Sequence, residues 1–191
     1  MSFCQLSLYA DIVRWMLQIL LEFLGNKILY EGKEIELGEK TFFIDGQLSD
    51  EVTARYPFVF NSFNEAAKAF VAGTEAGPMK VYIAPYVYWI DNPDDPQVRV
   101  GKDGKEPFGL VVKCPYLHLV GLTKNPENVV LASSRGQTQG AVGNFTMFDF
   151  WGDGLSVKNL TMGNYCNVDL EFPLKKELGR KKECLPLPRR M

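Results

Sequence analysis

The sequence predicts a mainly β chain folded as a right-handed parallel β-helix, an incomplete solenoid with N-terminal capping helices. Three observations carry this expectation. From Met79 onward, apolar residues recur with period two in short runs. No segment of helical period lies between those runs, which argues against alternating βαβ units. One strand pattern also repeats. Leu117-His118-Leu119-Val120-Gly121-Leu122-Thr123 matches Leu155-Ser156-Val157-Lys158-Asn159-Leu160-Thr161 as L-x-[L/V]-x-[G/N]-L-T. The separation of Leu117 from Leu155 falls inside the range of ~20–50 residues typical of repeat architectures.

The elements follow in chain order. Ile12, Trp15, Met16, Ile19, Leu20, Phe23 and Leu24 keep the i, i+3, i+4, i+7 rhythm of an amphipathic helix, ended by Gly25-Asn26. Such a helix packs on an open end of the domain, or lies on a membrane surface or a partner. Asp11, Arg14 and Glu22 interrupt any run long enough to cross a bilayer. The same Asp11, and the lack of a basic start, leave no clear export signal. A second helix is better marked. Ser62 is a good N-cap, Glu65 completes a capping box, and Phe63, Ala66, Ala67 and Phe70 share one face. Gly73 and Gly77-Pro78 end it. A solenoid cannot leave its first interior open, so this helix is the better candidate plug.

Strands are then predicted at Val81 to Ile83, Tyr86 to Ile90, Leu110 to Val112, Leu117 to Val120, Val129 to Leu131, Phe145 to Phe150, Leu155 to Val157 and Leu160 to Met162. Gly121 and Asn159, equivalent in the repeat, are the residue types that enter the left-handed region most easily. Each is expected to bend a strand onto a new face. A Greek-key sandwich also supplies short strands of this kind, and the pattern alone leaves it open. The organisation expected is a helix and extension over 1–57, the first coils over 58–172, and a basic, proline-containing tail over 173–191.

Composition narrows the chemistry. The 191 residues carry a net charge of −2 and are 46% hydrophobic, enough for one domain with a sizeable core. No basic field points to nucleic acid, and the cluster from Lys175 to Arg190 reads as a solvated tail. Cys4, Cys114, Cys166 and Cys184 form no C-x-x-C pair, so no zinc site is expected. Cys114 and Cys166 sit in apolar strand-like contexts where free buried thiols are common.

Catalytic candidates are few. His118 is the only histidine and points away from the face of Leu117 and Leu119. A lone strand histidine is more often solvated than part of a Ser-His-Asp centre. Asp91, Asp94 and Asp95 offer oxygen ligands for calcium, but two prolines and no D-x-D-x-D-G frame favour a solvated loop. Asp149, Asp153 and Asp169 lie on or beside strands, and Gly152-Asp153-Gly154 reads first as a turn. The polar stretch Asn164 to Asp169 either lines a cleft or forms an internal asparagine stack. Arg135 to Gly140 is glycine-rich but lacks the lysine and spacing of a phosphate loop. Asn144-Phe145-Thr146 and Asn159-Leu160-Thr161 are formal glycosylation sequons, discounted because both fall in strands.

Taken in order, these pieces resemble the opening of the pectin methylesterase (pectinesterase) family. The helix Ser62-Phe63-Asn64-Glu65-Ala66-Ala67 leads into Val81-Tyr82-Ile83-Ala84-Pro85-Tyr86-Val87-Tyr88. Asn128 to Leu131, Gly143 to Phe148 and Gly154 to Asn164 continue in register with that family. The block from Arg135 to Leu170 is especially similar to a pectinesterase-like group from gut Bacteroidetes. Of the family's G-x-Y-x-E motif only Tyr88 matches, since Tyr86 and Ile90 replace the glycine and glutamate.

The resemblance implies a pectin lyase-like β-helix, a cleft along one parallel sheet, no cofactor and no metal. It implies secretion or a periplasmic location. In that family one aspartate attacks the methyl ester of galacturonate, another acts as acid then base, and glutamines hold the oxyanion. No match for those motifs is found before Met191, so the expectation is an N-terminal fragment, inactive alone, with no catalytic residue assigned. Tyr88, Asn167 and Asp169 are the candidates for the edge of a pectin-binding cleft. An open solenoid end would favour self-association. A calcium-dependent pectate lyase-like enzyme and a non-catalytic carbohydrate-binding β-helix are the alternatives.

Overall fold

A computed structural model describes residues 26–30, 32–90, 110–133 and 147–165. It is mainly β, with parallel sheets and few helices. The one antiparallel pair of strands among the described residues is a hairpin, β1 (Lys27–Tyr30) with β2 (Lys33–Glu36), with Gly32 in the left-handed region (φ 79°). Its Ile28 and Ile35 pack with Phe43, Leu48, Val52 and Val59 in one cluster. A single-turn helix, α1 (Asp50–Thr53), supplies Val52 to that cluster.

The remaining strands are β3 (Thr41–Ile44), β4 (Val59–Phe60), β5 (Met79–Ile83), β6 (Tyr86–Trp89), β7 (Leu110–Lys113), β8 (Leu117–Gly121), β9 (Val129–Ser133), β10 (Phe148–Trp151), β11 (Ser156–Lys158) and β12 (Thr161–Asn164). They form three parallel sheets, ordered β11-β8-β5-β3-β4, β12-β9-β6 and β10-β7. The chain visits the three sheets as β7, β8, β9 and then again as β10, β11, β12. Each strand expected from Val81 onward has a counterpart among the described residues; the start of the one expected over Phe145 to Phe150 lies outside them, and β10 runs from Phe148 to Trp151. The largest sheet also extends back to β3, ahead of residue 58.

The sequence echo reappears as hydrogen-bond register. Ser156 pairs with His118, as the alignment of the two copies requires, and Phe148 pairs with Leu110 at the same separation. Met79 pairs with Leu117 at that separation too, so a third copy precedes the two seen in the sequence. The echo breaks at its last residue: Thr161 pairs with Val130, not with Thr123. A turn of 3-10 helix, Pro126–Asn128, occupies the excursion between β8 and β9, and Thr161 Oγ1 donates to the Pro126 carbonyl at 3.0 Å.

Of the two expected left-handed bends, one is present. Asn159 has φ 55°, in the left-handed region. Gly121 does not, and its role is different. A Cβ there would lie 1.9 Å from the Asn159 carbonyl oxygen, so glycine is needed for close backbone approach. A left-handed corner stands elsewhere, before β8 and β11, at Tyr116 (φ 51°) and Gly154 (φ 72°). These two are equivalent positions of the repeat, and a Cβ on Gly154 would meet the Tyr116 ring at 2.4 Å.

Between the sheets lies one apolar cluster that includes Phe42, Ile44, Val81, Ile83, Leu117, Leu119, Val129 and Leu131. The helix α2 (Phe63–Lys68) joins it through Phe63 and Ala66, with Ala67 and Phe70 packed alongside. The Ser62 half of the expected capping box is present, with the Glu65 amide donating to Ser62 Oγ at 3.4 Å. The Glu65 carboxylate pairs with Lys68. Leu117 and Leu119 are fully buried, whereas Leu155 and Val157, at and beside edge strand β11, are each 42% exposed. The amphipathic segment 12–24, the loop 91–96, the glycine-rich run 135–140 and the tail 173–191 lie outside the described residues.

Replacing Gly121 with Ala is expected to destabilise the fold by about 1–3 kcal/mol, because the atoms met are backbone and cannot rotate away. Gly38→Ala, where a Cβ meets nothing within 4 Å, should stay within about 0.5 kcal/mol of wild type. Urea unfolding of both variants checks this; equal stability would refute the close-approach role.

Candidate functional site

The positions singled out from the sequence fare differently. Tyr88 is interior, only 4% exposed. Its hydroxyl lies 2.9 Å from the Ala84 carbonyl and 3.3 Å from that of Ile44, and accepts from the Gly46 amide at 3.2 Å. A side chain spent on the backbone in this way cannot line a substrate cleft, which corrects the expectation for Tyr88. It ties β6 to the end of β3. Asn167 and Asp169 lie outside the described residues.

His118 points outward, as its alternation with buried Leu117 and Leu119 requires. Its cross-strand neighbours are Lys80 and Ser156. The carboxylate that a catalytic triad needs is not among those neighbours. Asp153 sits in the expected turn, where its carbonyl accepts from the Tyr116 amide at 2.6 Å. Among the described residues, no group of three or more His, Cys, Asp and Glu side chains is placed to hold a metal. Cys114 is free and buried, its Sγ donates to the Val71 carbonyl at 3.2 Å, and burial pushes its thiol pKa up. Among the described residues, no helix is long and apolar enough to cross a membrane.

A cluster on the β7–β10 sheet went unread in the sequence. Leu110, Val112, Phe148 and Phe150 pack toward the core from these strands. By alternation, Val111, Lys113, Asp149 and Trp151 face out. Trp151 is 57% exposed and Val111 43%. Lys113 stands directly across from Trp151 in the ladder, and its Nζ lies 5.2 Å from the centre of the indole. The indole N–H donates to Asp149 Oδ2 at 2.8 Å. Those two contacts hold a large exposed ring on a strand between a cation and a carboxylate. Stacking on the ring and charge pairing at its edge are what such a group can offer a ligand.

Burial drives the Tyr88 phenol pKa well above its ordinary 10.0, and the nearby Asp45 carboxylate adds to the rise. The unfolded chain therefore releases this proton first. The contribution is intact below pH about 10 and is lost as pH climbs above it. Tyr88→Phe should cost about 1 kcal/mol at neutral pH and flatten the alkaline decline. Thermal melts from neutral to strongly alkaline pH measure both, and an equally steep decline in the variant would refute the assignment.

No family model, curated protein or solved structure matches the chain.

Proposed function

We propose that the parallel strands are coils of a right-handed β-helix, and that the chain is the scaffold of a pectin methylesterase-like carbohydrate esterase that binds methyl-esterified polygalacturonate. The observation that carries this reading is the match between the sequence echo and the register of β8 with β11. A repeat that is both written in the sequence and hydrogen-bonded in parallel is what a stacked coil requires. Right-handedness follows from the strong bias of parallel crossover connections. The left-handed corners at Tyr116 and Gly154 support stacked coils, since both copies turn at the same place. The substrate class rests on the resemblance of the blocks Gly143 to Phe148 and Gly154 to Asn164 to that family.

Binding is proposed rather than turnover, because no aspartate among the described residues is assigned to the ester-cleaving chemistry. The purified chain should be retarded in gels containing citrus pectin and not in gels containing dextran. Absence of retardation on pectin would overturn the reading. Methanol release would extend it to an active esterase. A calcium-dependent rise in the absorbance of unsaturated uronate would replace it with a lyase.

A further inference from the structure

We infer that the outer face of β7 and β10 is the uronate-contacting surface, with Trp151 as the stacking platform and Lys113 as the carboxylate partner, and that it favours free uronate over its methyl ester. This rests on the polysaccharide reading above and deepens it, assigning to this face the de-esterified units of a partly methyl-esterified chain. Three features of the cluster lead there. The Trp151 ring is exposed on the outer side of the sheet, and a pyranose presents C–H groups that stack on such a ring. Its orientation is set beforehand by the bond from its N–H to Asp149 Oδ2, so little ordering remains to be done on binding. The Lys113 ammonium already lies beside the ring, at 5.2 Å from its centre. A sugar stacked there brings a C6 carboxylate within reach of that charge.

Methyl esterification removes the negative charge and keeps the sugar ring. The stacking partner is then retained and the ion pair lost. An exposed ion pair is worth little, so the discrimination is modest, about threefold, and weakens with salt. Asp149 has one oxygen engaged by the indole, and a carboxylate has a second that can accept from a sugar hydroxyl. Its negative charge repels a carboxylate close by, which favours the sugar orientation that turns the uronate charge toward Lys113.

The test uses the full chain with de-esterified polygalacturonate and fully methyl-esterified polygalacturonate, in low and high salt. Wild type should bind the de-esterified polymer about threefold more tightly, with the difference fading at high salt. Lys113→Gln should abolish that difference. Trp151→Ala should weaken binding of both polymers about tenfold. Both side chains are on the surface, and unchanged far-ultraviolet circular dichroism would confirm that the variants fold. If wild type binds and neither substitution matters, the chain contacts polysaccharide elsewhere: this inference falls and the pectin reading stands. If wild type prefers the ester, the role of Lys113 is overturned. If wild type binds neither polymer, the pectin reading fails and takes this one with it.

Discussion

The Asn159 carbonyl occupies the space that a side chain at position 121 would need, 1.9 Å from an ideal Cβ. Neighbouring parallel strands lie ~4.8 Å apart, and β8 and β11 must keep that spacing up to the bend. Asn159 adopts a left-handed conformation, and its carbonyl meets the end of the neighbouring strand. Only glycine at 121 lets the two backbones close at that point. The opposite corner has a similar lock, with Gly154 turned left-handed against the ring of Tyr116. Both ends of β11 are thus held against β8 by a missing side chain. The apolar pair between them, Leu119 with Val157, stays in register because its ends cannot slip.

Tyr88 does comparable work inside. Its hydroxyl meets backbone groups at Ile44, Gly46 and Ala84, where β3 ends and β5 turns into β6. Backbone at a corner leaves the ladder and needs other partners. A tyrosine reaching in from β6 supplies them while its ring fills apolar space with Ile44 and Ile83. The same residue type at the surface would read as a sugar contact. Burial is what separates the two roles, and burial is a property of the stack, not of the motif.

The strands from β5 to β12 were legible because period two and turn residues mark them locally. The cap of α2 was legible for the same reason, since Ser62 and Glu65 state it within one turn. The elements before residue 58 were not. Between β1 and β2 the sequence reads Glu31-Gly32, a weaker turn signal than Asn-Gly or Asp-Gly, and β4 has only two residues. The left-handed Tyr116 contradicts its residue type, because tyrosine seldom adopts positive φ without a tertiary reason. Trp151 was missed for want of a partner. Its neighbour Lys113 lies one repeat earlier, and applying the echo's own offset to the preceding strand would have brought the two together.

The three sheets present different outer surfaces. On the five-stranded sheet, Phe43 of β3 is 1% exposed and packs with the β1–β2 hairpin, so that end is covered. On the three-stranded sheet, Val87, Val130 and Ala132 are buried against Trp89 and Tyr165. The β7–β10 face carries the exposed indole and keeps its charged partners in the same ladder. A strand holds its side chains more firmly than a loop does, and these are aligned by parallel pairing rather than by a flexible connection. The Trp151 ring is thereby held in one orientation by its own strand and the neighbouring one, and a group already ordered in this way has little freedom left to lose.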